Sequence, residues 1–191
     1  MKKMLNMAGI PKIAKVVTKV VEIFHWVGTA LMAAATVCAL VNPAWVKYFV
    51  SFEAKECCGA ELEVYSFSIR AAVENGKVDM TAFVLFGIGA TLILALMAAI
   101  FHELSAMISS AGEGTPFSEA NAKRLYKVGF YSIFVPVVGM VMSVISRLVL
   151  GAEAAEIANG LDGLVVGLVV LCMTQFFCHG IKLENDVEGL V

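Results

Sequence analysis

Four long apolar stretches, separated by short charged segments, constrain the fold of this chain more than any other feature. A hydrocarbon layer of about 30 Å needs about 20 helical residues, because each helical residue rises about 1.5 Å. Each stretch reaches that length, and we expect helices over residues 20–41, 80–102, 128–150 and 161–181. The sequence therefore predicts an all-α integral membrane protein, a four-transmembrane-helix bundle that forms a single domain over residues 1–191.

The composition supports a lipid environment and excludes several function classes. Apolar residues make up 60% of the chain and charged residues only 16%, whereas soluble domains are roughly 45–50% apolar. The sequence has no glycine-rich phosphate loop, no Gly-x-Ser-x-Gly motif and no Cys-x-x-Cys pair. We therefore expect the lipid bilayer to be the main partner, and we lean against an enzyme.

The distribution of Lys and Arg predicts the orientation in the membrane. Residues 1–19 contain five lysines and no acid, and residues 105–127 contain Lys123, Arg124 and Lys127. The segment after the third helix carries only acids, and residues 42–79 carry more acids than bases. Because short basic segments stay in the cytoplasm, we expect both termini, the loop 105–127 and the tail 182–191 to be cytoplasmic.

The outer loop, residues 42–79, contains a pattern typical of β-structure. Residues 61–69 alternate apolar and polar side chains in the manner of a strand, and Asn75-Gly76 is a tight-turn signal. We expect a small extracytoplasmic β-hairpin, either a ligand-sensing segment or a structured connector. Adjacent Cys57 and Cys58 lie in the same loop, and their redox state stays open.

The inner loop, residues 105–127, reads as an amphipathic lead-in to the third helix. Thr115 or Ser118 is a suitable N-cap, and Pro116 suits a first helical turn. The basic residues then share one helical face, which favours either an interfacial anchor or the docking of a cytoplasmic partner. The candidate partner-binding residues are Pro116, Phe117, Asn121, Lys123, Arg124 and Lys127.

Two segments of this cytoplasmic face carry a family resemblance. Residues 114–125 (GTPFSEANAKRL) and 180–191 (GIKLENDVEGLV) resemble the bacterial four-helix membrane proteins catalogued as domain of unknown function 2975. The resemblance implies a protein of the bacterial cytoplasmic membrane without established activity. It also implies a small helix-turn-helix regulator as partner. The chain itself has no basic DNA-binding domain, so we expect no direct contact with nucleic acid.

The three histidines suggest an alternative function. In the expected topology His25, His102 and His179 lie at similar depth on the cytoplasmic side, with Glu22 one turn before His25 and Glu103 beside His102. Imidazole and carboxylate ligands bind zinc or iron, so a metal-dependent enzyme or metal-responsive protein is the second hypothesis. Hydrogen-bonded residues at the interface are the simpler interpretation, in which no cofactor is expected.

The first hypothesis is a non-enzymatic regulatory or sensory membrane protein whose inner loop and tail meet a cytoplasmic partner. A small transport or channel subunit is the third. Small residues in the helices, including Gly87, Gly163 and Gly167, predict close packing within the bundle rather than a dimer face. The sequence leaves the oligomeric state open, and a homo-oligomer is compatible with it.

Overall fold

Four long helices dominate the described structure. The computed structural model describes residues 10–42, 60–71, 73–74, 77–112, 118–156 and 161–188. The helices are α1 (Ile10–Val41), α2 (Met80–Gly112), α3 (Glu119–Leu150) and α4 (Leu161–Glu188). Between α1 and α2 lie the strands β1 (Ala60–Val64), β2 (Phe67–Ala71), β3 (Val73–Glu74) and β4 (Lys77–Val78). All four helices are long and apolar enough to cross a membrane. These helices confirm the predicted helical class, and the strands β1 and β2 confirm the small hairpin.

Each helix continues past its predicted apolar stretch at the same end of the molecule. Here α1 and α3 begin earlier than predicted, and α2 and α4 end later. Hydropathy detects only the apolar part of a helix, whereas backbone hydrogen bonds continue through charged residues. We call this end, where α1 and α3 begin, the basic end, and the opposite end the hairpin end. Ser118 caps α3 by accepting a hydrogen bond from the Asn121 N–H at 3.3 Å, which confirms one of the two predicted caps.

Small residues set the close packing of neighbouring helices. Consecutive helices are antiparallel and pack in chain order, while α1 and α4 share no extensive contact within the described ranges. A Cβ atom added at Gly87 of α2 would lie 2.1 Å from Thr36 Oγ1 of α1. A Cβ atom added at Gly163 or Gly167 of α4 would meet Pro136 or Ile133 of α3 at 3.1 and 2.5 Å. These glycines therefore bring the chain's own helices together, as predicted.

The β1–β2 hairpin is part of the core. Its inward face carries Phe67 and Ile69, which are completely buried among residues of α1, α2 and α3. The Phe67 ring stacks on Phe86 with centroids 5.8 Å apart. Gly89 makes room for it, because an added Cβ atom there would lie 2.5 Å from the Phe67 ring. The hairpin thus inserts among the helices and does not merely cap them.

The hairpin turns at Tyr65-Ser66, inside the stretch that we predicted as one strand. Val64 pairs with Phe67 and Leu62 with Ile69 in an antiparallel register, so the single strand over residues 61–69 is wrong. A second reversal follows, because Glu74 pairs with Lys77. The predicted turn residues Asn75 and Gly76, and the cysteines Cys57 and Cys58, lie outside the described residues.

The outer surface of the bundle is strongly apolar. Phe24, Leu148 and Phe176 are 76%, 81% and 78% exposed. Isolated apolar side chains are ordinary on soluble proteins, but here such side chains cover the outward faces of all four helices. This surface is typical of a multi-pass membrane protein.

We expect Gly167→Ala to lower the thermal unfolding midpoint of the detergent-purified protein, whereas Gly28→Ala leaves it unchanged or raises it. The Gly167 methyl would overlap Ile133 and approach the Gly129 carbonyl oxygen at 3.0 Å, while at Gly28 the nearest atom is 3.7 Å away. Overpacking costs about 1–3 kcal/mol, and the helix-propensity gain of alanine is common to both variants. Equal midpoints would contradict this account of α3–α4 packing.

Candidate functional site

The tip of the hairpin contacts a histidine far along α1. The Tyr65 hydroxyl and His25 Nε2 form a hydrogen bond, and His25 Nδ1 lies 2.8 Å from the Val21 carbonyl oxygen. A carbonyl only accepts, so Nδ1 carries the proton and Nε2 of the neutral ring accepts from Tyr65. His25 is buried and also stacks on Phe101 of α2, with centroids 5.3 Å apart. One histidine thus joins the hairpin, α1 and α2.

Tyr65 adopts an unfavourable backbone conformation at this contact. Its φ angle is 51°, the only positive φ of a non-glycine residue in the described ranges. The left-handed region costs an L-residue with a bulky side chain roughly 1–2 kcal/mol. Strain of this kind concentrates at binding and switching sites. The outlier therefore marks Tyr65 as a candidate functional residue.

A buried carboxylate lies one helical turn from His25, toward the basic end. Glu22 is only 4% exposed. Both of its oxygens lie 3.0 Å from Lys19 Nζ, and Oε1 accepts a hydrogen bond from His102 Nδ1 at 2.9 Å. A buried charge needs such partners, because desolvation alone would favour its neutralisation. A cavity of about 280 Å³ adjoins the cluster, lined also by Lys15, Ser105 and Ser109.

A third polar cluster ties the end of α2 to the start of α3. Glu103 pairs with Lys127 at 2.8 Å and lies 3.9 Å from Arg124. Asn121 is buried, and its side-chain oxygen accepts from Ser110 at 2.8 Å and from Arg124 at 3.0 Å. The predicted inner loop is therefore largely helical. We call residues 103–112 and 118–127, two antiparallel helix ends joined by these contacts, the projection.

The structure separates most of the predicted metal ligands. Glu22 and His102 come together, but His25 binds Tyr65, Glu103 binds Lys127, and His179 is exposed on α4. The described residues contain no group of three or more His, Cys, Asp or Glu side chains arranged to hold a metal ion. A metal site therefore stays a prediction without a geometric basis in these ranges.

The predicted partner-binding residues have different environments. Lys123 and Lys127 are exposed, Arg124 is half-buried, and Asn121 is a buried structural residue. Pro116 and Phe117 lie outside the described residues. Among the described candidates, Lys123 and Lys127 are therefore the most accessible to another molecule.

Sequence reasoning missed Tyr65, although a signal was present. The inward-facing positions are Leu62 and the partly buried Val64, then Phe67 and Ile69, so the alternation changes from even to odd numbers after Val64. A two-residue turn produces this change, because the residues on either side of it pair on the same face. The turn was not predicted because neither Tyr65 nor Ser66 is the Gly or Asn that usually indicates such a turn.

No family model, curated protein or solved structure matches this chain. Membership of the family resembled by residues 114–125 and 180–191 therefore stays a prediction. The candidate site rests on its own geometry.

We expect Tyr65→Phe to lower the free energy of unfolding by about 1–3 kcal/mol, because it leaves the buried His25 Nε2 without a donor. Tyr126→Phe is the matched control, since Tyr126 is 55% exposed and its hydroxyl can be replaced without burying an unpaired group. The measurement is chemical unfolding in detergent.

A double-mutant cycle with His25→Phe should give a coupling energy of about 1 kcal/mol. Phenylalanine keeps an aromatic ring against Phe101 while removing the acceptor. Additive effects of the two substitutions would show that the Tyr65–His25 hydrogen bond contributes nothing to stability.

Proposed function

We propose that this chain is a regulatory membrane protein that transmits a signal from the hairpin end to a cytoplasmic partner at the basic end. In this proposal the protein crosses the bacterial cytoplasmic membrane four times with both termini inside. The Lys and Arg residues of the basic end support this orientation, because such residues remain on the cytoplasmic side. The protein then acts by changing conformation, without chemistry of its own.

The observation that carries the proposal is the Tyr65–His25 contact. The hairpin base lies at the hairpin end, where the Arg70 N–H donates to the Ala154 carbonyl oxygen at 2.7 Å. Its tip reaches His25, 16 helical positions before the end of α1 at Val41, or about 24 Å along the axis. A change at the outer surface of the hairpin therefore acts directly on a residue deep in the bundle.

Polar contacts continue from His25 toward the projection. Glu22 lies one turn below His25 on α1 and accepts a hydrogen bond from His102 on α2. The next residue of α2, Glu103, holds Lys127 of α3. Each step is a discrete contact that is either formed or broken, which is the kind of element that a signal can bias. Strain at Tyr65 supports the same interpretation, because strained residues that are held by their surroundings cluster at switch regions.

The two ends offer suitable surfaces for input and output. On the hairpin, Glu61, Glu63 and Arg70 are exposed, and Arg70 forms an ion pair with Glu156 of the α3–α4 connection. At the other end, the projection carries Lys123, Arg124 and Lys127. Its two helix ends are held together by the ion pairs of Glu103 with Arg124 and Lys127. A partner with an acidic surface fits this output side, and the resemblance suggests a small helix-turn-helix regulator.

A photo-cross-linking amino acid at Ala111, an exposed position on the projection, tests the proposal in intact cells. We expect it to capture a cytoplasmic protein of the helix-turn-helix class, identified by mass spectrometry. The same probe at Glu153, an exposed position at the hairpin end, is the control and should not capture this protein. Introducing Tyr65→Phe should change the Ala111 yield several-fold at equal membrane abundance.

Two outcomes would contradict the proposal. Capture of the same cytoplasmic protein by the probe at Glu153 would contradict the proposed orientation in the membrane. An unchanged Ala111 yield in the Tyr65→Phe variant would remove the hairpin tip from the signalling path, even if the partner itself were real.

A further inference from the structure

Helices α3 and α4 are in close contact toward the hairpin end, and a surface groove lies between them toward the basic end. The close contact is made by glycines: an added Cβ at Gly129 would lie 2.8 Å from Leu171, and one at Gly167 would lie 2.5 Å from Ile133. Larger residues, including Tyr126 and Gln175, line the groove.

The groove is large and mainly apolar, with a charged rim. Its volume is about 760 Å³, within the range of about 300–1,000 Å³ that small-molecule sites occupy. Ala122, Tyr126, Cys178 and Ile181 contribute to its walls. It runs from Lys182 to Thr174 along α4, a distance of about 12 Å at the helical rise. This length accommodates the first part of an acyl chain.

Positive charge collects at the mouth of the groove. Among the described side chains, Lys123, Lys127 and Lys182 line it, against one carboxylate, Glu119. Lys127 is already paired with Glu103. Lys123 and Lys182 are exposed, and neither forms an ion pair with a described carboxylate. These two lysines are therefore available to an anion at the mouth.

The mouth also lies where the apolar part of the bundle ends. Lys123 precedes the apolar stretch of α3 that starts at Val128, and Lys182 follows the stretch of α4 that ends at Ile181. Phospholipid phosphates occupy this level beside a membrane helix, with the acyl chains next to the apolar part. Charge and apolar surface are thus arranged in the order in which a phospholipid presents them.

We propose that this groove binds one anionic phospholipid, with its phosphate between Lys123 and Lys182 and one acyl chain between α3 and α4. Basic pockets between membrane helices are the usual setting for such headgroups. A free phosphate would use the mouth but not the apolar walls, and an acidic peptide would leave the narrow inner part of the groove empty. The inference goes beyond the proposed function and does not depend on it, because either membrane leaflet could supply the lipid.

Native mass spectrometry of the full chain in detergent tests the proposal. The probes are phosphatidylglycerol and phosphatidylcholine with identical acyl chains, so that the two lipids differ only in their headgroups, one anionic and the other zwitterionic. We expect one phosphatidylglycerol to remain bound and phosphatidylcholine to bind at least tenfold more weakly. A lysine near an anionic surface contributes about a factor of five in affinity, so Lys123→Ala/Lys182→Ala should weaken phosphatidylglycerol binding by roughly 30-fold.

Two further variants separate the groove from general surface charge. Lys12→Ala/Lys15→Ala removes the same charge from the same end of the bundle and should keep the affinity within about twofold. Cys178→Phe leaves the charge unchanged but fills the groove, and it should weaken binding by tenfold or more. Unfolding midpoints of all variants establish that each one is folded.

Three outcomes would overturn the proposal. These are an equal loss of phosphatidylglycerol affinity in the two double-lysine variants, equal binding of the two lipids, or unchanged binding in Cys178→Phe.

Glycerol phosphate, which has the headgroup anion without acyl chains, should fail to compete at millimolar concentration. Full competition would assign the site to a soluble phosphate ligand. Co-purification of a stoichiometric polypeptide that displaces the lipid would assign the groove to a protein partner.

Discussion

Burial of the hairpin against three helices is the interaction on which the rest of this structure depends. Phe67 and Ile69 fill the space between α1, α2 and α3, and Gly89 provides the room for the Phe67 ring. Within a hydrocarbon layer, an inserted backbone segment must satisfy its own polar groups. Pairing of the two strands satisfies the backbone groups that face each other, and on the outer edge the Arg70 N–H finds an acceptor in the α3–α4 connection. Packing of the helices and position of the hairpin tip are therefore set together.

That packing explains how Tyr65 keeps an unfavourable conformation. The strands on both sides of the turn are fixed by buried side chains, Val64 pairing with Phe67 directly beside it. The close packing of Phe67 and Ile69 against the helices holds the two strands in register and so maintains a turn whose local cost is roughly 1–2 kcal/mol. The turn is thus held by its neighbours rather than by its own preference. A change in hairpin packing would therefore move the turn and alter the contact with His25, which gives the proposed signal a physical origin.

The basic end combines rigidity with access. Glu103 and Asn121 connect α2 to α3 through several hydrogen bonds and ion pairs, which hold the two helix ends of the projection together. On its other side an apolar groove with lysines at the mouth lies between α3 and α4. A bound lipid there would contact Lys123, which also belongs to the projection. The lipid environment and the partner-binding surface would then be linked through this shared side chain.

The sequence by itself determined the four apolar helices and the existence of β-structure between the first two. It also predicted Ser118 as one of two possible caps and close packing at the small residues of the helices, because each of these depends on periodicity, length or local chemistry. It indicated Glu22 and His102 as unusual residues within apolar surroundings. Only the tertiary structure decided that the hairpin enters the core, that Tyr65 meets His25 across 40 residues of chain, and that His179 lies apart from the other histidines. Those features depend on which helix faces pack together, and that choice follows from the fit of side chains such as Phe67 against Gly89, which no local pattern encodes.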